Sequence, residues 1–343
     1  MNSFAAQIKS AALGMGYEKC GIIKISDMSG YEEKLNERIE LIPEVKQYYE
    51  DFYRFSHLQD IYPWAKSIVI CARQYGKYNI PKHMEGLIAK YYLVDSRTDE
   101  RSKSFQDSLK FEEYMKKMGL KTDTERRFGI TALRWAALKA GLGLVRKNNF
   151  FYTESGSWVH LEAWLIDKEL ESVDIPTLKE CPEHCNLCIK FCPTSSLSKP
   201  YTMNRSTCVS CLTTWEGWDL PHEKFNAQMG GWVFGCDVCQ DVCPMNKGSW
   251  IAAEEFPGLA ELSEHVSLEK ILEMDYEFLE QVMQLKFWYI EKTDVWKWKT
   301  NAINAMVNDY KKQYKEYIYD ATNDSNVKVR EMAEWAILKL KLI

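Results

Sequence analysis

No apolar run in this 343-residue chain approaches the roughly 18 residues needed to cross a bilayer, so the sequence offers no membrane span. The start, MNSFAAQIKSAALGMGYEKC, lacks the charged head, long apolar centre and small-residue cleavage site of a secretory leader. Positive charge is also short. Forty-four Lys and Arg stand against 49 Asp and Glu, a formal net charge of −5, and the pI is near 5.8. That argues against a generally basic nucleic-acid binder and leaves room for a local patch only. No G-x-G-x-x-G or Walker spacing is present to cradle a dinucleotide or a nucleotide phosphate. Hydrophobic residues at 46% and charged residues at 27% are globular proportions, which excludes disorder as the main state. The expectation is a soluble cytoplasmic protein of two domains, or three small ones.

Cysteine, by contrast, is abundant and unevenly placed. Cys20 and Cys71 stand alone in apolar, strand-like runs, where a buried structural thiol is expected. The other nine, Cys181, Cys185, Cys188, Cys192, Cys208, Cys211, Cys236, Cys239 and Cys243, crowd into one stretch. A reducing compartment and an odd count of 11 make a disulfide framework the wrong reading, and metal the better one. CNLCIKFCP and CDVCQDVCP both carry the C-x2-C-x3-C-P ending of bacterial ferredoxins, in which the Cys before Pro serves the other cluster. The assignment is one [4Fe–4S] cluster on Cys181, Cys185, Cys188 and Cys243, and a second on Cys192, Cys208, Cys236 and Cys239. Two tetrahedral zinc sites are the competing reading, but zinc does not call for the x3-C-P arm on both runs. The gap Cys181-x3-Cys185 is one residue longer than the usual x2, and Cys211 is a substitute ligand or a small buried hydrophobe.

Ahead of the cysteines the pattern is α/β. Residues 2–15 have helical spacing, Lys19–Ile25 is β-rich, and a charged helical stretch covers Tyr31–Tyr53. Ser67–Tyr75 reads as a strand buried on both faces, residues 100–119 and Thr131–Ala140 as helices, and His160–Asp167 as a further strand. Gly141 and Gly143 follow a helix, so a C-cap turn and a close approach to a cofactor are both open. Residues 258–343 are helical, ending in what resembles one helical-pair repeat unit with NDSN as its turn. Lys297, Lys299, Lys311, Lys312, Lys328, Arg330, Lys339 and Lys341 make this end locally basic, as a solvated face or an RNA contact.

The order of these parts resembles the cobalamin-dependent epoxyqueuosine reductases, relatives of the reductive dehalogenases. Arg205–Pro221, Met229–Asn246 and the turn Ala140–Asn148 carry the resemblance, and Ser67–Tyr75 and the helical end fall in the expected order. It implies an α+β architecture in three parts. These are a corrinoid-binding α/β domain over 1–172, a ferredoxin-like double-cluster module over 173–250, and a helical, HEAT-like region over 251–343. It implies two [4Fe–4S] clusters and cobalamin, held in part by Gly141, Leu142, Gly143, Lys147, Asn148, Met229 and Gly230. It further implies an external low-potential donor such as ferredoxin or flavodoxin, and tRNA as a partner. An electron carrier or corrinoid-reducing partner without a substrate of its own is the alternative.

The chain departs from that family where substrate is handled. Thirteen residues before Ala140, where the family places a proton-donating acid, stands Arg127. Asp123 and Glu125 lie nearby and are candidates with it for the catalytic site. The family's Asp-Tyr-His stretch reads Asp95-Ser96-Arg97, and Cys211 stands where Tyr is usual. A guanidinium cannot give up a proton at neutral pH, but it can pair with an anion. A changed substrate, such as a small epoxide or organohalide, is therefore open. Tyr91, Tyr92 and Tyr152 are further candidate acids. Trp158, Trp164 and Trp232 are the indoles to examine beside a corrinoid, and His160 and His184 are read as structural or exposed.

Overall fold

The computed structural model describes residues 3–217 and 225–342. The end of the resemblance segment Arg205–Pro221, beyond Gly217, lies outside the described residues. The first helix, α1 (Phe4–Gly14), begins where the Ser3 hydroxyl accepts the Ala6 N–H. It leads into β1 (Lys19–Lys24), followed by β2 (Ser67–Gln74), α2 (Lys103–Lys117), the edge strand β3 (Thr122–Asp123) and α3 (Leu133–Lys139). A short hairpin, β4 (Leu144–Val145) and β5 (Phe151–Tyr152), precedes β6 (Val159–Ile166).

The sheet order is β1-β2-β6-β3, and every pair is antiparallel. Both faces are nonetheless covered, which is why β2 reads as a continuous apolar run rather than an alternating one. Val69, Cys71, Cys20, Ile22 and Trp164 face α1 and the Phe111 and Met115 side of α2. Ile68, Ile70, Ile23, Ala163 and Leu165 face Ala136, Ala137 and Ala140 of α3. Cys20 and Cys71 lie directly opposite each other in the register and are fully buried, the structural thiols expected of them. Trp158 and Trp164 are core residues at 2% and 0% exposure, so neither is a wall for a flat cofactor. The charged stretch after Tyr31 is helical in pieces, Tyr31–Leu41 and then Lys46–Glu50 between 3-10 turns, broken where Ile42 turns to φ −141° and Pro43 follows.

The cysteine region is built from single helical turns, α4 (Leu187–Lys190), α5 (Val209–Leu212) and α6 (Val238–Asp241). The chain closes with α7 (Trp296–Asn308), α8 (Tyr314–Asp320) and α9 (Val327–Leu340), the last capped by Asn326 in the NDSN turn. One face of α7 is polar yet buried. Lys297 donates to the carbonyls of Thr214 and Trp215, and Asn301 to those of Thr213 and Val233. Asn304 and Asn308 donate to the carbonyl of Asn226, and Asn308 also to that of Gly230. These side chains recur on one face every three or four residues and supply donors to loops that have no ladder of their own. Lys297 is 2% and Lys299 6% exposed, the latter paired with Asp324 at 2.8 Å, so neither is available as an RNA contact.

Candidate functional site

Cys188 sits on α4 and Cys239 on α6, and each turn is stopped by Pro193 or Pro244 just beyond the next cysteine. Burial raises the Cys188 thiol, and Cys243, Cys181 and Cys185 add to that rise through space. Burial likewise raises Cys239, with Cys236, Cys208 and Cys192 adding to it. Two thiol quartets thus come together, and each contains one cysteine from the other run: Cys243 joins the first and Cys192 the second. Among the described residues no three His, Cys, Asp or Glu side chains form a group that could hold a single metal ion. A zinc–thiolate site needs its sulfurs about 2.3 Å from one point. The four thiolates of a cubane bind four different irons and stand further apart.

The surroundings of the first quartet suit an anionic cluster. Arg146 is 3% exposed, its Nη1 lies 3.8 Å from Cys181 Sγ, and its Nε is buried without a partner. The Tyr152 phenol, raised by burial, hydrogen-bonds Cys243. N–H and O–H groups aimed at cluster sulfurs raise the reduction potential. Arg146 escaped the sequence reading, although it lies within the quoted turn, and Tyr152, read there as a candidate acid, is placed against a cysteine instead. In the second quartet Cys208 is drawn down to about 7, chiefly by a hydrogen bond from the Cys211 thiol. Cys211 is therefore the neighbour of a ligand candidate.

The residues expected to hold a corrinoid are occupied within the protein itself. Gly141 (φ +71°) and Leu142 return N–H bonds to the carbonyls of Leu138 and Ala137, a Schellman cap on α3. A Cβ on Gly141 would stand 1.6 Å from the Asp174 carbonyl oxygen, and one on Gly143 2.0 Å from that of Tyr152. Leu142 and Met229 are both 0% exposed, and the Gly230 carbonyl accepts from Asn308. Lys147 Nζ donates to the carbonyls of Pro182, Glu183 and Cys185 at 2.8–2.9 Å, while Asn148 Nδ2 donates to Cys239 O at 3.0 Å. As a set these residues are engaged within the protein, and Lys147 and Asn148 seat the two cysteine loops. Gly141→Ala is expected to lower stability by about 3 kcal/mol, since both the positive φ and the Asp174 backbone oppose it. Thermal unfolding of the variant measures this.

On the opposite side the sequence candidates separate. Asp123 is exposed on the edge strand, its carboxylate accepting the Thr124 N–H. Glu125 accepts the N–H groups of Arg127 and Phe128 at 2.8 and 2.6 Å, which makes it a turn-former rather than a free acid. Arg127 is brought to Arg97, whose Nη1 donates to the Arg127 carbonyl at 2.5 Å. Arg97 in turn grips buried Asp95 through Nε and Nη2 at 3.0 and 2.7 Å, and donates to the Tyr289 hydroxyl at 2.8 Å. Arg97 holds the Asp95 carboxyl down at about 2 against the cost of burial. Burial keeps His160, stacked on Tyr75 at 4.6 Å, neutral with a pKa lowered to about 3. The two positions at which the family's acid and imidazole were sought thus meet in space as a pair of guanidinium groups. Tyr91 and Tyr92 are half-buried phenols pushed well up by desolvation.

Residues 180–246 match the family model of a 4Fe-4S double cluster binding domain. The epoxyqueuosine reductase of Cyclobacterium marinum is 30% identical over 256 residues, covering 72% of this chain and 81% of the relative. The structure of epoxyqueuosine reductase from Streptococcus thermophilus superposes with a TM-score of 0.81 at 21% identity, covering 98% of this chain and 90% of that one. A crystal structure of an epoxyqueuosine reductase with an epoxyqueuosine-modified tRNA-Tyr stem loop gives a TM-score of 0.76 at 23% identity, covering 97% and 89%. Among the described residues no helix is long and apolar enough to cross a membrane. The mixed helix-and-sheet chain thus belongs to the epoxyqueuosine reductase family, a family of oxidoreductases.

Proposed function

We propose that this chain is a two-cluster iron–sulfur reductase that takes electrons one at a time from a low-potential ferredoxin or flavodoxin. The observation that carries the reading is the pair of crosswise thiol quartets, one with the buried cation Arg146 against it. Two clusters bound this way, on Cys181, Cys185, Cys188 and Cys243 and on Cys192, Cys208, Cys236 and Cys239, lie close enough to pass electrons between them. The second quartet is the inner one. Cys211 and Cys208 act on the Tyr92 phenol, and the Tyr92 ring lies 5.1 Å from Tyr289 beside Arg97 and Arg127. A solved relative holding a tRNA stem loop supports tRNA as the partner.

The substrate step differs from the family's. With Arg127 in the acid's place and Glu125 committed to a turn, neither position offers a free carboxylic acid, and the guanidinium binds and stabilises negative charge. Weak or absent conversion of epoxyqueuosine is therefore expected. Cobalamin is what membership of the family implies, and the residues read as its cradle are engaged within the protein. That same observation favours a second reading, a cluster protein that delivers electrons to a corrinoid or substrate on another protein.

The test is anaerobic reconstitution of the full chain with iron, sulfide and cobalamin. It is followed by metal analysis and by nucleoside mass analysis after incubation with an epoxyqueuosine-modified stem loop. About eight irons per chain are expected, with little conversion. Zinc in place of iron overturns the reductase. Robust conversion overturns the altered substrate step. Eight irons without retained cobalamin move the reading to the electron-delivering protein.

A further inference from the structure

The segments that supply the first quartet also carry apolar side chains into the open. Phe191, between Cys188 and Cys192, is 50% exposed, and Tyr201 and Met245 are each 40% exposed. Met245 follows Cys243 by two residues, and Tyr201 lies close enough to Cys181 and Arg146 for both to act on its phenol. Because Cys181, Cys188 and Cys243 meet, the three side chains gather around one centre. Tyr201 is held there against its own preference. Its φ is +62°, a region that bulky side chains avoid, and its N–H is tied to the Lys147 carbonyl at 2.9 Å. Backbone strain kept at an open ring beside a redox site points to a surface that is used.

The rim of this face is basic in an acidic chain. Across residues 179–201 and 243–247, Lys179, Lys190, Lys199 and Lys247 stand against Glu180 and Glu183, while the whole chain carries −5. Lys190, Lys199 and Lys247 are exposed and enter no ion pair among the described residues. Uncommitted cations around an apolar centre are the anatomy of a protein interface that steers in an acidic partner. The second quartet, on the side of Tyr92 and Arg97, is the one turned toward substrate, which leaves this face to the electron donor. Two rings and a thioether suit the apolar edge of a flavin, which packs on both.

We propose that Phe191, Tyr201 and Met245, rimmed by Lys190, Lys199 and Lys247, form the docking face for an acidic flavodoxin. This inference rests on the reductase reading. In the complex the anionic flavin hydroquinone loses one electron and becomes the neutral semiquinone, and the first cluster gains that electron; no bond or proton moves. Arg146, buried against Cys181, stabilises the added charge.

The test is calorimetric titration of the anaerobically reconstituted full chain with oxidised flavodoxin, at low and at physiological salt. Affinity is expected to fall about tenfold or more between the two. Lys190→Glu, Lys199→Glu and Lys247→Glu together should weaken binding at low salt by about tenfold or more. Tyr201→Gly, which suits the positive φ, should weaken it about threefold or more while iron content and thermal stability hold. In stopped flow, cluster reduction by flavodoxin hydroquinone should slow in step, whereas photoreduction with a neutral deazaflavin should not. Charge-reversed protein that binds flavodoxin like the parent overturns the face. So does a reversal that spares flavodoxin and weakens a ferredoxin or a tRNA stem loop instead, since the occupant is then another. Iron content and deazaflavin reduction report on the reductase reading by themselves. Full, reducible clusters without flavodoxin binding sink this face alone, whereas absent clusters sink both.

Discussion

Cys192→Ala is expected to leave the protein with about four of its roughly eight irons and without electron delivery, while Cys211→Ala keeps all of them. Cys192 belongs by sequence to the first run, yet it is grouped with Cys236, Cys208 and Cys239. Its loss would open a cubane whose other three ligands come from elsewhere. The Leu197 N–H that points at Cys192 Sγ from 3.5 Å would then face an empty corner. Cys211 instead donates to Cys208. Removing that donor leaves the cluster bound and lowers its potential, because a hydrogen bond to cluster sulfur stabilises the added electron. Iron analysis and anaerobic reduction of the two variants, side by side, separate these outcomes. Equal iron in both would mean that the crossed assignment is wrong, and loss of iron in Cys211→Ala alone would make Cys211 the ligand.

Acid should destabilise this fold steeply, by about 3 kcal/mol between pH 7 and pH 4 through His160 alone. The sign follows from its lowered pKa. In the unfolded chain the imidazole takes a proton below its ordinary 6.5, whereas in the fold burial holds it neutral down to about 3. The unfolded state therefore binds more protons throughout that window, and stability is lost as pH falls through it. Asp95 adds to the loss at the acid end. Its folded value of about 2 lies below the ordinary 3.8, so its contribution is present above 3.8 and disappears as pH falls toward 2. Denaturant unfolding at a series of pH values should show the slope, and His160→Gln should flatten it between pH 6.5 and 4. An unchanged slope in that variant would place the acid sensitivity elsewhere.

The strands were legible because an apolar run of β-branched residues bounded by polar ones has few other homes. The expected strand over Ser67–Tyr75 ends at Gln74, and that over His160–Asp167 runs from Val159 to Ile166. The two cysteine runs were legible because their chemistry is written in local spacing. The guanidinium site was not. Arg97, Arg127 and Tyr289 come from three separate segments, and periodicity within a segment carries no information about which loops meet. Lys297 and Lys299 misled for a related reason. A basic residue on a terminal helix is usually solvated, but here the helix turns that face inward because the cysteine-region loops offer it unpaired carbonyls. The glycine turn was ambiguous from sequence; in the fold it caps a helix and packs against the backbone of Asp174.

Lys147 and Asn148 are consecutive, and each reaches a different cysteine loop. A single hairpin thus acts as a jig on which both receptacles are shaped before any iron arrives. Assembly on such a jig does not depend on which cubane is inserted first. A chain that lacks one cubane thus keeps the receptacle of the other in shape.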